Sequence, residues 1–167
     1  MKLHKNVLNN ETIFLFRKQL SNNLNKKCWA VSSLFWHDDL LKGIQGSCIA
    51  SNLPELVENK IIDDIRELVP VCNKLIIQCY VWGKNAGIAI HNDHSYKFGA
   101  TIYMNDGWNI NDGGIFLWKP NGEEEYKVIV PEFNNMVLND DKELHMVTPV
   151  SPYITSPRVT IQIWGVD

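Results

Sequence analysis

The stretch Lys74-Leu-Ile-Ile-Gln-Cys-Tyr-Val-Trp82, the turn Gly83-Lys84-Asn85 and the run from Ala86 to Asn92 decide the fold. Two short runs rich in β-branched and aromatic residues, parted by a turn signal, read as consecutive strands. Working outward, the same pattern recurs at 97–104, 114–118, 125–130, 135–139, 144–150 and 158–164. Asn111-Asp112-Gly113-Gly114, Pro120-Asn121-Gly122 and the segment from Pro149 to Pro157 punctuate these runs. Eight short strands so spaced suit a sandwich or jelly-roll barrel.

Upstream of Lys74 the period is helical. Ile13, Phe16, Arg17, Leu20 and Leu24 predict a helix over 11–24. Leu53, Leu56, Val57, Ile61, Ile65 and Leu68 mark one face of a second over 52–69, with Asn52 as its N-cap, Glu55 three residues on and Pro54 in the first turn. Between them, Trp29 to Trp36 reads as a strand and Leu40 to Ser47 as a loop. The expectation is a mainly β chain forming one domain over 1–167. In it a helical and mixed support region (1–74) buttresses a barrel (75–167).

Sixteen basic against nineteen acidic residues leave a net charge of −3, which argues against a sequence-independent grip on nucleic acid. No apolar run approaches the ~20 residues of a membrane helix, and the N-terminus lacks a signal peptide's apolar centre. Cys28, Cys48, Cys72 and Cys79 contain no C-x-x-C pair, so reduced, mostly buried thiols are expected rather than a zinc site. These features predict a soluble cytoplasmic protein.

The densest polar cluster is His91-Asn92-Asp93-His94. Residues i and i+2 of a strand share a face, so His91 and Asp93 converge and offer a divalent metal two adjacent ligands. Alone, such a pair is as well explained by a surface turn. A second histidine on a neighbouring strand changes the reading, and His145, 52 residues past Asp93, qualifies. Two imidazoles and one carboxylate on one side of an octahedron leave the other side open, as in non-haem Fe(II) oxygenases. On the last strand, Arg158, Thr160, Gln162 and Trp164 lie on one face and Val159, Ile161 and Ile163 on the other. The apolar set fits a core, whereas the polar set is costly to bury unless it meets a ligand. Arg158 suits a carboxylate, because its planar fork binds both oxygens; an acid of the protein itself is the alternative partner. His4, His37 and His94 read as exposed histidines, and the loop 105–112 as a turn over the site mouth.

His91-x-Asp93, then His145, then Arg158 and Thr160 resembles the motif order of the Fe(II)- and 2-oxoglutarate-dependent dioxygenases. The resemblance covers 75–164. It is nearest to the prolyl 4-hydroxylase-like branch, including hypoxia-type prolyl hydroxylases, through Cys79-Tyr80, Ile102-Tyr103-Met104-Asn105, Trp108, Gly113-Gly114 and Trp164. It implies a double-stranded β-helix with His91, Asp93 and His145 as iron ligands. Arg158 and Tyr103 would hold the distal carboxylate of 2-oxoglutarate, with Thr160 beside them, and Tyr80 and Trp164 would line the cavity. The implied cofactor is Fe(II) and the co-substrates are 2-oxoglutarate and dioxygen, with ascorbate as an optional reductant. The implied reaction is hydroxylation of an unactivated C–H, best matched to a prolyl residue in a peptide or protein, with release of succinate and carbon dioxide. Two alternatives stay open: hydroxylation of a free amino acid or other small molecule, and a jelly-roll binding protein without catalysis.

Overall fold

The computed structural model describes residues 1–24, 30–31 and 46–167. Two antiparallel sheets dominate it. The larger has seven strands in the order β1-β9-β6-β11-β4-β3-β2, and the smaller four in the order β5-β10-β7-β8. Their ranges are β1 Lys2–His4, β2 Ala30–Val31, β3 Cys48–Asn52, β4 Lys74–Trp82, β5 Ile88–His91 and β6 Phe98–Tyr103. They continue with β7 Phe116–Lys119, β8 Lys127–Ile129, β9 Met136–Asn139, β10 Leu144–Val147 and β11 Arg158–Val166. Each of the eight runs expected from Lys74 onward holds a strand. β10 stops at Val147, before Thr148-Pro149, where proline has no N–H to give a ladder.

The expected jelly-roll barrel takes the form of two antiparallel sheets whose edges do not close on one another. Among the described residues no ladder joins one sheet to the other; side chains hold them together. Tyr80, Trp82, Tyr103 and Val137 of the larger sheet share one buried cluster with Ile88, Phe116 and Val147 of the smaller. The opposite face of the larger sheet carries Ile77, Cys79 and Val81 of β4, Ala100 and Ile102 of β6, and Val159, Ile161 and Ile163 of β11. This period of two gives the sheet two different faces: one is core and the other looks at the site.

Helix α1 (Asn10–Leu24) and helix α2 (Glu55–Ile65) follow the predicted periods. Phe16 of α1 and Val57, Ile61 and Ile65 of α2 belong to the same apolar cluster as that core face. The ends of α2 differ from expectation. Asn52 is not its cap but the last residue of β3, where Oδ1 accepts from Gln78 Nε2 at 3.0 Å. Pro54 leads in with φ −63° and no side-chain cap, an entry for which proline's fixed φ is suited. The helix stops at Ile65 rather than 69, and Leu68 N bonds back to Ile65 O at 2.8 Å in the turn that follows. α1 is capped by Asn9, whose Oδ1 accepts from Thr12 N at 2.9 Å.

Of the segment expected as a strand over 29–36, Ala30–Val31 forms β2; the rest, with His37, Cys28 and most of 40–47, lies outside the described residues. Cys48 and Cys79 are buried and Cys72 is half-buried. His94 is exposed as expected, whereas His4 is half-buried with Nε2 enclosed. No described helix is long and apolar enough to cross a membrane.

Candidate active site

Neighbouring strands of the smaller sheet carry the two histidines. In the β5–β10 ladder His91 stands opposite His145, with ring centroids 4.2 Å apart. Nδ1 of His91 meets the Ala89 carbonyl at 2.7 Å, and Nδ1 of His145 the Glu143 carbonyl at 3.0 Å. A carbonyl oxygen only accepts, which assigns the proton to Nδ1 in both rings and leaves Nε2 as the lone pair a metal requires. Asn139 Nδ2, 3.2 Å from His145 Nδ1, gives its hydrogen to the Glu143 carbonyl instead. Burial, and then His145 beside it, hold the His91 imidazole well below its ordinary value, so it is uncharged at neutral pH. Phe116 stacks on the buried His145 ring at 5.2 Å.

Asp93 completes the cluster from outside the strand. β5 ends at His91, so the shared strand face expected for residues 91 and 93 is replaced by a turn, closed by Tyr96 N donating to Asp93 O at 2.9 Å. The turn brings Oδ2 to 3.6 Å from His145 Nε2. One ligand atom from each of His91, Asp93 and His145 lies within 4.8 Å of the other two. Sequence reasoning missed two supports. Gly99 leaves the carboxylate its space: a Cβ there would fall 2.2 Å from Asp93 Oδ2. Asn139 brackets the Glu143 backbone, with Nδ2 donating to its carbonyl and Oδ1 accepting from its N–H, both at 3.0 Å. A glycine inside a strand was the available signal for the first; nothing in the sequence signalled the second.

The inward row of β11 is as expected from its alternation. Arg158 is 1% exposed. Its guanidinium lies over the rings of Trp82 and Tyr103, 5.2 and 5.4 Å from their centroids. None of its Nε, Nη1 and Nη2 has a hydrogen-bond partner among the described residues, and neither does the Tyr103 hydroxyl. No acid among the described residues therefore pairs with Arg158. A buried guanidinium with unmet donors is expensive, and a planar carboxylate answers it. Burial pushes the Tyr103 phenol up to about 12, with Arg158 opposing, so it is a neutral donor at pH 7. Gly114, at φ +60°, makes room for the arginine stem: a Cβ there would lie 2.6 Å from Arg158 Cδ.

A cavity open to solvent has His91, Asp93 and His145 in its wall together with Tyr80, Gln162 and Trp164. The Trp164 ring lies 6.0 Å from Tyr80 and 5.6 Å from Tyr96. Arg158, Tyr103 and Thr160 are not on this wall. Trp82 joins them to it: it lines the cavity, lies under Arg158 and donates Nε1–H to Thr160 Oγ1 at 3.0 Å. Sequence reasoning missed Trp82, although the alternation that places Tyr80 inward places it there too. Loop 105–112 contributes nothing to the wall. Its Asn105 ties down the start of β11, bonding Pro157 O at 2.8 Å and Val159 N at 2.6 Å.

The fold is shared with solved structures of low sequence identity. A Pseudomonas putida prolyl-4-hydroxylase superposes with TM-score 0.75 at 12% identity, over 99% of this chain and 92% of that one. A Trichoplax adhaerens prolyl hydroxylase, solved with a hypoxia inducible factor peptide fragment, gives 0.72 at 18%, over 99% and 83%. The non-heme alpha ketoglutarate dependent epimerase SnoN from nogalamycin biosynthesis gives 0.66 at 12%, over 98% and 76%. No curated protein matches the chain in sequence. The donor set at the cavity, the unmet guanidinium and a family model matching residues 75–165 agree: the chain belongs to the 2OG-Fe(II) oxygenase superfamily and is a 2-oxoglutarate/Fe(II)-dependent oxygenase.

Proposed function

We propose that this oxygenase hydroxylates a prolyl residue in an extended peptide or flexible protein segment, in a cytoplasmic setting that the free thiols of Cys72 and Cys79 favour. His91 and His145 through Nε2, and Asp93 through a carboxylate oxygen, hold the iron. Arg158 and Tyr103 receive the distal carboxylate of 2-oxoglutarate, with Thr160 holding the Trp82 indole that borders both Arg158 and the cavity. Bound Fe(II) supplies dioxygen activation, coupled to conversion of 2-oxoglutarate to succinate and carbon dioxide. The protein orients the reactants and keeps a dry interior around Arg158. Asp93 occupies the position that a halide would need, which favours hydroxylation over halogenation.

The observation that carries the reading is the pairing of an unmet, fully buried Arg158 and Tyr103 with a His-Asp-His cluster across one inter-sheet cluster. For the substrate, Trp164 with Tyr80 and Tyr96 offers flat apolar faces at the cavity, on which a pyrrolidine ring packs. Proline-rich segments enter a groove already extended, at low entropic cost. Prolyl hydroxylases among the fold's neighbours lend support. Peptides incubated with enzyme, Fe(II), 2-oxoglutarate and dioxygen are expected to gain one oxygen on proline by mass spectrometry. Oxygen found only on other residues or on free small molecules overturns the prolyl assignment. The second of these is the alternative reading, favoured by the likeness to SnoN.

A further inference from the structure

Gln162 is the one member of the inward β11 row without a role above. The strand registers place it. Asp93 packs against Gly99, and Gly99 pairs with Trp164, so the metal-ligand cluster stands at the Trp164 level of the larger sheet. Arg158 pairs with Trp82 three inward positions further along the strand. Gln162, flanked in register by Thr101 and Gln78, lies one inward step from the Trp164 level toward Arg158. A molecule held at both ends passes over it.

The carboxamide is fixed from two sides. Thr101 Oγ1 donates to its Oε1 at 2.7 Å, and its Nε2 donates to Thr160 Oγ1 at 3.3 Å. A primary amide has two N–H donors. Whichever way the amide is turned between the two threonines, this network uses one and leaves the other without a partner among the described residues. Gln162 is half-buried and forms part of the cavity wall beside the metal-ligand cluster. Tyr80, Trp82 and Trp164 make much of the wall around it aromatic, so a donor there discriminates strongly for an acceptor.

We infer that Gln162 is a co-substrate-binding residue, donating its free amide N–H to an oxygen at the oxo-acid end of 2-oxoglutarate. This inference rests on the Fe(II) and 2-oxoglutarate reading above. Its role differs from that of Arg158, which meets the other end of the molecule.

The test is calorimetric titration of 2-oxoglutarate into Mn(II)-loaded, oxygen-free protein, comparing wild type with Gln162→Met and Gln162→Glu. Methionine keeps the bulk without a donor. Glutamate keeps the shape and can still accept from Thr101, but has no N–H and brings a like charge to the anion. Both variants are expected to bind 2-oxoglutarate about ten- to hundredfold more weakly, glutamate more so, with Mn(II) affinity and melting temperature held. Unchanged 2-oxoglutarate affinity in Gln162→Met overturns the inference. So does a parallel fall in Mn(II) affinity and melting temperature, which would mark Gln162 as a support of the fold. Mn(II)-loaded wild type that takes up no 2-oxoglutarate overturns the functional reading itself, and this inference with it.

Discussion

Asp93 and Gly99 share one volume: the space a Cβ on residue 99 would fill, 2.2 Å from Oδ2, belongs to the carboxylate. Gly99→Ala therefore pushes Asp93 away from His145, although alanine suits a strand better than glycine does. Metal affinity is expected to fall about ten- to hundredfold, the range for partners that orient ligands. A metal titration of the purified variant reads this. Wild-type affinity would mean that Asp93 is not a ligand.

Asn139 supports the same cluster from its other side. Asn139→Ala strips both hydrogen bonds from the Glu143 backbone, whose carbonyl also anchors His145 Nδ1. The loss of buried partners costs about 1–3 kcal/mol of stability, read by denaturant unfolding, and metal affinity falls with it.

Arg158 carries the opposite sign for stability. Replacing a buried guanidinium, unpaired among the described residues, with an apolar side chain of similar length removes a cost rather than a contact. Arg158→Met is expected to leave the ligand-free protein as stable as wild type or up to about 4 kcal/mol more so. Wild type should gain about 2.7 kcal/mol at 2-oxoglutarate one hundred times its Kd, and Arg158→Met should gain less than about 1 kcal/mol at that concentration. A destabilised ligand-free variant would point to an internal partner for the arginine. Thermal unfolding with and without 2-oxoglutarate measures both.

Much of this was legible in the sequence where one strand's alternation decides the outcome. Arg158, Thr160, Gln162 and Trp164 against Val159, Ile161 and Ile163 give the two faces of β11 directly, and the structure divides them in that way. The open edge between the sheets was not legible, because sheet closure depends on pairing between distant strands rather than on local pattern. Asp93 shows the same limit at smaller scale: the residue was identifiable, but a turn and not the strand face delivers its carboxylate. Asn52 looked like a helix cap because asparagine favours caps, and its pairing opposite Gln78 in β3 took precedence. Supports such as Gly99 and Asn139 act through neighbours far along the chain, so only the folded registers reveal them.

The central claim is that the His-Asp-His cluster and the buried Arg158 are two ends of one 2-oxoglutarate site. Oxygen-free calorimetry of Fe(II) and then 2-oxoglutarate binding to Arg158→Ala tests it most directly. The predicted result is Fe(II) affinity close to wild type and 2-oxoglutarate binding weakened by about 2–5 kcal/mol, the cost of truncating one member of a shielded charge pair. Arg158→Ala protein that binds 2-oxoglutarate as wild type does, or that loses Fe(II) and 2-oxoglutarate equally, would contradict it.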